Sequence, residues 1–251
     1  MAGGADDFVG HFRLAYQAVA RFPVLIVPPL AVAVLGFMLL FFIGGGGAVI
    51  GALMGGAVGG SHGAAAGGIA GLVLGVLVFA VVMGTLGLLS SGMVIVMARS
   101  ALGGVEPVLG DALAAVARRL GAIAVAASLV GLIVMIGFLF LVIPGIVAAV
   151  FLMFTLPAVL LDGLGAVDGM RRSAALVRAH PGPVVAFLVG CLLVFVGMGI
   201  ASWILSFVPF LGGLASFVLQ GAAMSYLTVV GVHFYALLRA TPGTVAGAIA
   251  P

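Results

Sequence analysis

The charged residues of this 251-residue chain are confined to short segments, separated by long apolar stretches that carry no charge. The charge-free stretches are residues 24–98, 120–161 and 179–238. A helix needs about 20 apolar residues to cross the hydrocarbon layer of a bilayer, so each stretch is long enough to cross twice. Two crossings return the chain to its starting side. The pattern therefore predicts three transmembrane hairpins, with every charged segment on the same face.

Turn signals divide the apolar stretches into six predicted spans. The second hairpin is predicted to turn at Ile143-Pro144-Gly145 and the third around residues 208–213, because proline and glycine readily interrupt a helix. The predicted spans are residues 24–43, 72–98, 121–142, 146–161, 184–206 and 214–238.

The charged segments have the periodicity of amphipathic helices. In residues 107–120 a narrow apolar stripe lies opposite the charged positions, and Pro107 suits the first turn of a helix. Residues 6–22 show a similar stripe, and residues 166–179 a weaker one. Helices of this kind beside membrane spans are expected to lie in the headgroup layer.

We predict that the chain repeats one unit three times, an amphipathic helix followed by a transmembrane hairpin, within a single all-α membrane domain. The domain covers residues 1–251. Its predicted segments are an N-terminal amphipathic helix (1–23), hairpin 1 (24–98) with a glycine-rich insert (44–75), an interfacial helix (99–120), hairpin 2 (121–161), a second interfacial helix (162–183), hairpin 3 (184–239) and a short tail (240–251).

The composition supports a chain whose surface faces lipid. Hydrophobic residues make up 65% of the sequence and charged residues 6%, whereas soluble proteins carry about 25% charged residues. All nine basic residues are arginine, and the net charge is +3. An excess of arginine marks the charged face as cytoplasmic, so both termini are expected inside. Because topology already accounts for the basic charge, nucleic-acid binding is not expected.

A glycine at every fourth position marks the middle of hairpin 1. Such spacing lets helix backbones approach closely, but four residues turn a helix by about 400°, so the row drifts by about 40° per step. We therefore expect two glycine-faced helices, near 47–59 and 64–75, that fold back at residues 60–63 and pack together. A contact between two copies of the chain and a pore lining are the alternatives, and two full crossings here would make eight spans. The ladder consists of Gly47, Gly51, Gly55, Gly59, Gly63, Gly67, Gly71 and Gly75.

Two stretches resemble a known family. Residues 143–180 and the closing HFYALLRA at 233–240 are similar to the glycerophosphoryl diester phosphodiesterase membrane-domain family and to related six-span prokaryotic membrane proteins. The chain departs from the family pattern at Asp162, where glutamate is common, and at Ala174, where tryptophan is common. The positions that carry the resemblance are Pro144, Gly145, Pro157, Asp162, Ser173, Tyr235 and Arg239.

The resemblance implies a multi-pass protein of the prokaryotic plasma membrane. In some relatives the membrane domain is fused to a soluble phosphodiesterase domain that performs the chemistry, and the similarity seen here covers only the membrane part. The resemblance therefore implies no catalytic residue in this sequence.

Several motifs of enzyme chemistry are missing from the sequence. It contains no H-E-x-x-H, G-x-x-x-x-G-K-[ST] or Cys-x-x-Cys motif, and the single Cys191 cannot form an internal disulfide. We therefore expect no enzyme activity, no cofactor and no metal site. His233 is expected near the cytoplasmic end of the last span, Gln220 as a packing contact between helices, and His62 exposed at the tip of hairpin 1.

The arginines of the two later charged segments are the best functional candidates. At headgroup depth each gains about 1 kcal/mol beside an anionic leaflet, which predicts contacts with phosphate headgroups. The alternative is that they only orient the protein, with ion pairs such as Asp168 to Arg172 one helical turn apart. The candidate headgroup contacts are Arg118, Arg119, Arg171, Arg172 and Arg178.

Together these features predict a non-enzymatic multi-pass membrane protein that contacts membrane lipids or partner proteins, in lipid or envelope homeostasis or as a scaffold. The alternative is a transporter, exporter or lipid conduit with a groove between the hairpins. A cavity of that kind is predicted to be lined by Ser128, Thr155, Ser202, Gln220, Ser225 or Thr228.

Overall fold

The protein is an all-α membrane bundle, as the sequence predicts. The computed structural model describes residues 4–39, 46–205, 207 and 211–240, and these residues contain helices and no strand. A short 3-10 turn, Pro23–Ile26, joins the first two α-helices. The helices are α1 (Gly4–Arg21), α2 (Val27–Leu39), α3 (Gly46–Leu102), α4 (Leu109–Arg118), α5 (Leu120–Phe140), α6 (Val142–Leu152), α7 (Thr155–Leu161), α8 (Ala166–Ala179), α9 (Pro181–Leu205) and α10 (Leu211–Ala240).

Within the described ranges, five helical stretches are long and apolar enough to cross a bilayer, which makes the chain a multi-pass membrane protein. A sixth is reached only if the end of α1 and the start of α2, bent by 96° at Phe22, are taken together. The predicted first span, 24–43, is described only as far as residue 39. The five stretches are Gly59–Leu102, Leu120–Phe140, Val142–Leu161, Pro181–Leu205 and Val218–Ala240.

Helix α1 packs against α10 and is anchored to the middle of that helix. The Tyr226 hydroxyl donates a hydrogen bond to the Phe12 carbonyl at 3.1 Å, and Ser225 donates to the Leu25 carbonyl at 2.8 Å. At 1.5 Å per residue, Tyr226 lies about 20 Å along α10 from Arg239. The N-terminal amphipathic helix is therefore set well apart, along the bundle, from the charged C-terminal end of α10.

The glycine ladder forms a helical hairpin inside α3. Gly59 and Gly60 leave the helical conformation, with φ of +60° at Gly60, so the chain reverses at the start of the stretch where the fold-back is predicted. A Cβ at Gly51 would overlap the carbonyl of Gly67, and one at Gly55 would overlap the carbonyl of Gly63. The two arms are thus in backbone contact, which only glycine permits.

The turn of hairpin 2 is tighter than predicted, and the predicted turn at Ile143-Pro144-Gly145 is wrong. Leu141 alone, with φ −165° and ψ 150°, connects α5 to α6. Pro144 sits in the first turn of α6, where a missing N–H removes no helical hydrogen bond. Gly145 then packs against Gly137, where a Cβ would lie 2.8 Å from the Gly145 Cα.

The fourth span is broken between α6 and α7. Pro157 has no N–H to donate to the carbonyl four residues earlier, so the helix is interrupted at Met153 and Phe154. The buried Ser173 of α8 bridges the break, because its hydroxyl accepts the Phe154 N–H at 3.0 Å and donates to the Phe151 carbonyl at 2.7 Å. Backbone groups freed in an apolar environment need such replacement partners.

The two later amphipathic helices form close to the predicted positions. Helix α4 begins at Leu109, two residues after Pro107, so the placement of that proline inside the helix is wrong. Helix α8 has the predicted bounds, 166–179. Residues 208–210 of the predicted turn of hairpin 3 (208–213) lie outside the described residues, and residues 211–213 already belong to α10.

Aromatic side chains join α7, α9 and α10 in the best-buried part of the bundle. The ring centroid of Phe154 lies 6.2 Å from those of Phe187 and Phe234 and 5.9 Å from that of Tyr235. Phe187 and Phe234 stack at 4.8 Å. Aromatic pairs at such distances contribute about 0.5–1.5 kcal/mol beyond their buried area, so this cluster fixes the end of α10 against α7.

Candidate functional site

The C-terminal end of α7 gathers arginines from other parts of the chain. The last carbonyls of a helix have no partner within the helix and carry its negative dipole, which favours cations there. Arg119 donates to the Val159 carbonyl at 3.4 Å, and Arg99 donates to the Leu161 carbonyl at 3.5 Å. Two arginines that are distant in sequence thus cap the same short helix.

Asp162, directly after α7, binds two further side chains. Its Oδ1 accepts a hydrogen bond from Arg239 Nη1 at 2.5 Å, and its Oδ2 accepts one from the Tyr235 hydroxyl. Arg172 of α8 also interacts with the Tyr235 hydroxyl. The carboxylate is only 12% exposed, and its hydrogen bonds to Arg239 and Tyr235 make this burial tolerable.

Gly163 completes the end of α7. Its φ is +72°, a left-handed conformation that favours glycine at the end of a helix. A Cβ there would also lie 2.8 Å from Nη2 of Arg119. The glycine therefore allows both the sharp exit of the chain and the close approach of the guanidinium.

This constellation, here called the arginine cluster, carries an excess of positive charge. Arg99, Arg119, Arg172 and Arg239 meet around the C-terminal end of α7, and Asp162 is the carboxylate that pairs with one of them, Arg239. Such an excess creates a local field that attracts anions.

The other ion pair of the described part of the chain differs from the predicted one. Asp168 pairs with Arg171 at 3.8 Å, three residues on, and both side chains are largely exposed. The predicted pairing of Asp168 with Arg172 is therefore wrong, because Arg172 turns towards Tyr235. An exposed pair of this kind contributes little to stability, so Arg171 keeps most of its charge available to the surroundings.

A cavity of about 550 Å³ opens beside the arginine cluster, between the ends of α3 and α10. Arg99, His233, Tyr235 and Arg239 supply its polar wall, and Leu161 forms part of its apolar wall. A volume of this size is within the range of small-ligand sites.

The structure separates the five arginines predicted to contact headgroups. Arg119 and Arg172 belong to the arginine cluster, while Arg118 and Arg171 are exposed beside them in sequence. Arg178 lies elsewhere, with its guanidinium carbon 5.5 Å from the ring centroid of Phe151.

The seven positions that carry the family resemblance fall into structural groups. Asp162, Tyr235 and Arg239 form one hydrogen-bonded unit. Pro157 and Ser173 break and bridge the fourth span, as described above. The remaining two, Pro144 and Gly145, lie in the first turn of α6 and shape hairpin 2.

Sequence reasoning did not single out Arg99, although the sequence holds a signal for it. Arg99, Arg119, Asp162 and Arg239 are all residues that directly border a charge-free stretch. The ends of α3, α7 and α10 and the start of α5 meet at one place, so the charges that border the stretches at these points come together. Only the packing of α7 decides which of them meet.

A second cavity, of about 390 Å³, forms a groove between α2, α9 and α10. Of the six polar residues predicted to line a conduit, only Ser202 and Gln220 border it. The expectation that Gln220 serves as a packing contact does not hold, since its side chain is exposed and forms no hydrogen bond with the described residues. The groove is otherwise mostly apolar, lined by side chains such as Phe195 and Met224.

The other four polar residues lie away from the groove. Ser225 is buried and bonded to Leu25, and Thr228 bonds the Met224 carbonyl of its own helix at 2.7 Å. Thr155 is buried with its hydroxyl unpaired, and Ser128 is exposed on α5.

Comparisons of the chain with protein families, curated proteins and solved structures gave no match.

Proposed function

We propose that this chain is a non-enzymatic multi-pass membrane protein that binds anionic lipid headgroups at its arginine-rich helix ends. The observation that carries this proposal is the convergence of Arg99, Arg119, Arg172 and Arg239 around the C-terminal end of α7, where Arg239 pairs with Asp162. Guanidinium groups match phosphate geometry with paired donors and are more weakly hydrated than ammonium groups, so they suit headgroup contacts.

The exposed arginines beside the cluster add a second, less specific attraction. Arg118 and Arg171 lie on α4 and α8, and Arg171 has only a loose partner in Asp168. Each arginine near an anionic leaflet contributes about 1 kcal/mol, screened by salt. In this proposal the exposed pair draws the protein and anionic lipids together, and the arginine cluster holds the headgroup.

The resemblance to the glycerophosphoryl diester phosphodiesterase membrane-domain family supports a cellular location for this role. It favours the prokaryotic plasma membrane, with the arginine-rich ends and both termini in the cytoplasm. A role in lipid or envelope homeostasis, or as a scaffold for partner proteins, is consistent with binding lipid without chemistry. A lipid conduit is the second candidate, favoured by the groove that Ser202 and Gln220 border.

The proposal is tested with the double variant Arg118→Gln/Arg171→Gln. We expect it to retain several-fold less phosphatidylglycerol than the native protein when both are purified from mixed lipid in gentle detergent, with the difference vanishing at high salt. Native mass spectrometry counts the retained lipids.

The matched control for that experiment is Asp111→Asn on the exposed face of α4. It changes the charge by one unit in the opposite direction, so retention is expected to stay equal or rise. Equal retention by the double variant and the native protein would contradict headgroup attraction at these arginines.

A further inference from the structure

The cavity beside the arginine cluster has the chemistry of a built anion site. Arg99 and Arg239 reach it from the ends of two different helices, and both are anchored at adjacent residues of the chain. Arg99 bonds the Leu161 carbonyl at 3.5 Å, and Arg239 bonds the Asp162 carboxylate at 2.5 Å. The two guanidinium groups are therefore held close to each other at the rim of one cavity.

Both arginines keep donors for a ligand. A guanidinium has five N–H donors, and the bonds described use a minority of them. Arg99 is exposed and has no carboxylate partner among the described residues. Glu106 and Asp111, the acids nearest to it along the chain, form no ion pair in the described part of the protein.

The apolar part of the cavity wall suits a ligand that carries an apolar group as well as a charged one. Leu102, Leu161, Val232 and Ala236 line the cavity beside the two arginines. A free inorganic anion needs only the charged side, whereas the apolar side offers contact to a group attached to the phosphate. The volume of about 550 Å³ accommodates both parts.

We propose that this cavity binds one phosphoryl group between Arg99 and Arg239, with Tyr235 and His233 beside it. The inference rests on the proposed function and names its specific site. The same chemistry is offered by the phosphate of a membrane lipid and by a soluble phosphate, and the experiment separates these two sources.

The experiment measures ligand-dependent thermal unfolding of the full chain in maltoside detergent, which carries no phosphate. Binding to the folded state alone raises the melting temperature with ligand concentration and so yields a dissociation constant. Dioctanoyl phosphatidylglycerol is titrated in one arm and inorganic phosphate in the other. Saturable stabilisation by the lipid alone identifies a headgroup site, while stabilisation by inorganic phosphate identifies a soluble ligand.

The deciding variant is Arg99→Gln, which is expected to weaken binding roughly tenfold or more, because it removes charge-assisted hydrogen bonds. Arg13→Gln is the matched control, since Arg13 is exposed on α1 and lies outside the site. Arg99→Lys keeps the positive charge but lacks the planar guanidinium with its paired N–H donors, and it is expected to weaken binding less than Arg99→Gln. It also serves as the test variant if the glutamine variant does not fold.

Two outcomes would overturn the cavity site. One is the absence of saturable stabilisation of the native protein by either ligand. The other is equal affinity of the native protein, Arg99→Gln and Arg99→Lys. Either outcome can be told apart from failure of the proposed function. That function is tested separately, by the salt-sensitive lipid retention that depends on the exposed Arg118 and Arg171.

Discussion

At the scale of single residues, Ser173 shows how one hydroxyl supports a broken span. It is fully buried, accepts the Phe154 N–H and donates to the Phe151 carbonyl, so both sides of the break are satisfied by one side chain. A buried backbone group without a partner costs about 1–3 kcal/mol. The serine is thus a structural part of α6 and α7 although it belongs to α8.

We expect Ser173→Ala to lower the free energy of unfolding by about 1–3 kcal/mol, because it leaves the Phe154 N–H and the Phe151 carbonyl unpaired. Ser91→Ala is the control, since Ser91 is exposed on α3 and forms no hydrogen bond with the described residues. Denaturant unfolding in mixed detergent micelles measures both. Equal stability of the two variants would show that the bridge is dispensable.

The residue scale is also where the sequence is least informative. Asp162 and Arg239 each border a charge-free stretch, and Tyr235 lies one helical turn before Arg239. Their hydrogen bonds are not predictable, because they depend on how the end of α7 meets the end of α10. The error at Asp168 has the same origin, since local spacing favours Arg172, but Arg172 lies near Tyr235 and Asp168 pairs with Arg171 instead.

At the scale of elements, the glycine hairpin is the most predictable feature. The drift of a four-residue repeat on a 3.6-residue helix requires a break, and the break occurs at Gly59 and Gly60. Gly55 lies opposite Gly63 and Gly51 lies opposite Gly67, so the two arms pair in one register, and further along a Cβ at Gly36 would meet the side chain of Met83. The glycine face is therefore occupied within the chain, and a contact between copies would use the outer faces.

We expect Gly55→Leu to destabilise the hairpin without changing the oligomeric state, because the new side chain meets the backbone of Gly63. The control is Ala57→Leu, which adds a similar volume on the exposed side of the same arm. Native mass spectrometry reports the assembly, and protease sensitivity reports hairpin opening. A change of assembly in Gly55→Leu with the hairpin intact would instead favour a contact between two copies through the glycines.

Other elements show where sequence patterns are insufficient. The signal Pro-Gly at residues 144–145 predicts a turn, yet both residues are helical, because a proline in the first helical turn loses no hydrogen bond. Pro157 is likewise the third residue of its helix, α7, but it follows another helix, α6, after a break of only two residues. Both prolines therefore mark a helix start, and the sequence does not reveal which of the two starts lies at a hairpin turn and which lies within a broken span.

At the scale of the whole molecule, the hairpins extend to different distances from the charged end. Measured along the helix at 1.5 Å per residue, Arg99 lies about 60 Å from Gly60, and Arg119 about 33 Å from Leu141. The hydrocarbon layer is about 30 Å thick. Hairpin 2 therefore matches the bilayer, whereas hairpin 1 is long enough to project beyond it or to tilt strongly.

A topology experiment tests the arrangement of the whole chain. In a Cys191→Ala background, Ser61→Cys at the tip of hairpin 1 is expected to react with a membrane-impermeant maleimide in intact cells, because an uncharged arm of this length reaches the far side. Val105→Cys, exposed between α3 and α4, is expected to react only after permeabilisation. The opposite labelling pattern would contradict a cytoplasmic arginine cluster.

The glycine contacts within hairpin 1 limit which point mutations the hairpin can tolerate. Every codon for glycine begins with two guanines, and any single-base change that replaces the amino acid introduces a residue with a Cβ. At Gly51, Gly55, Gly63 and Gly67 even alanine would overlap the opposite backbone. No one-step mutation at these four positions is conservative, so natural variation in the hairpin should concentrate on its outward-facing positions.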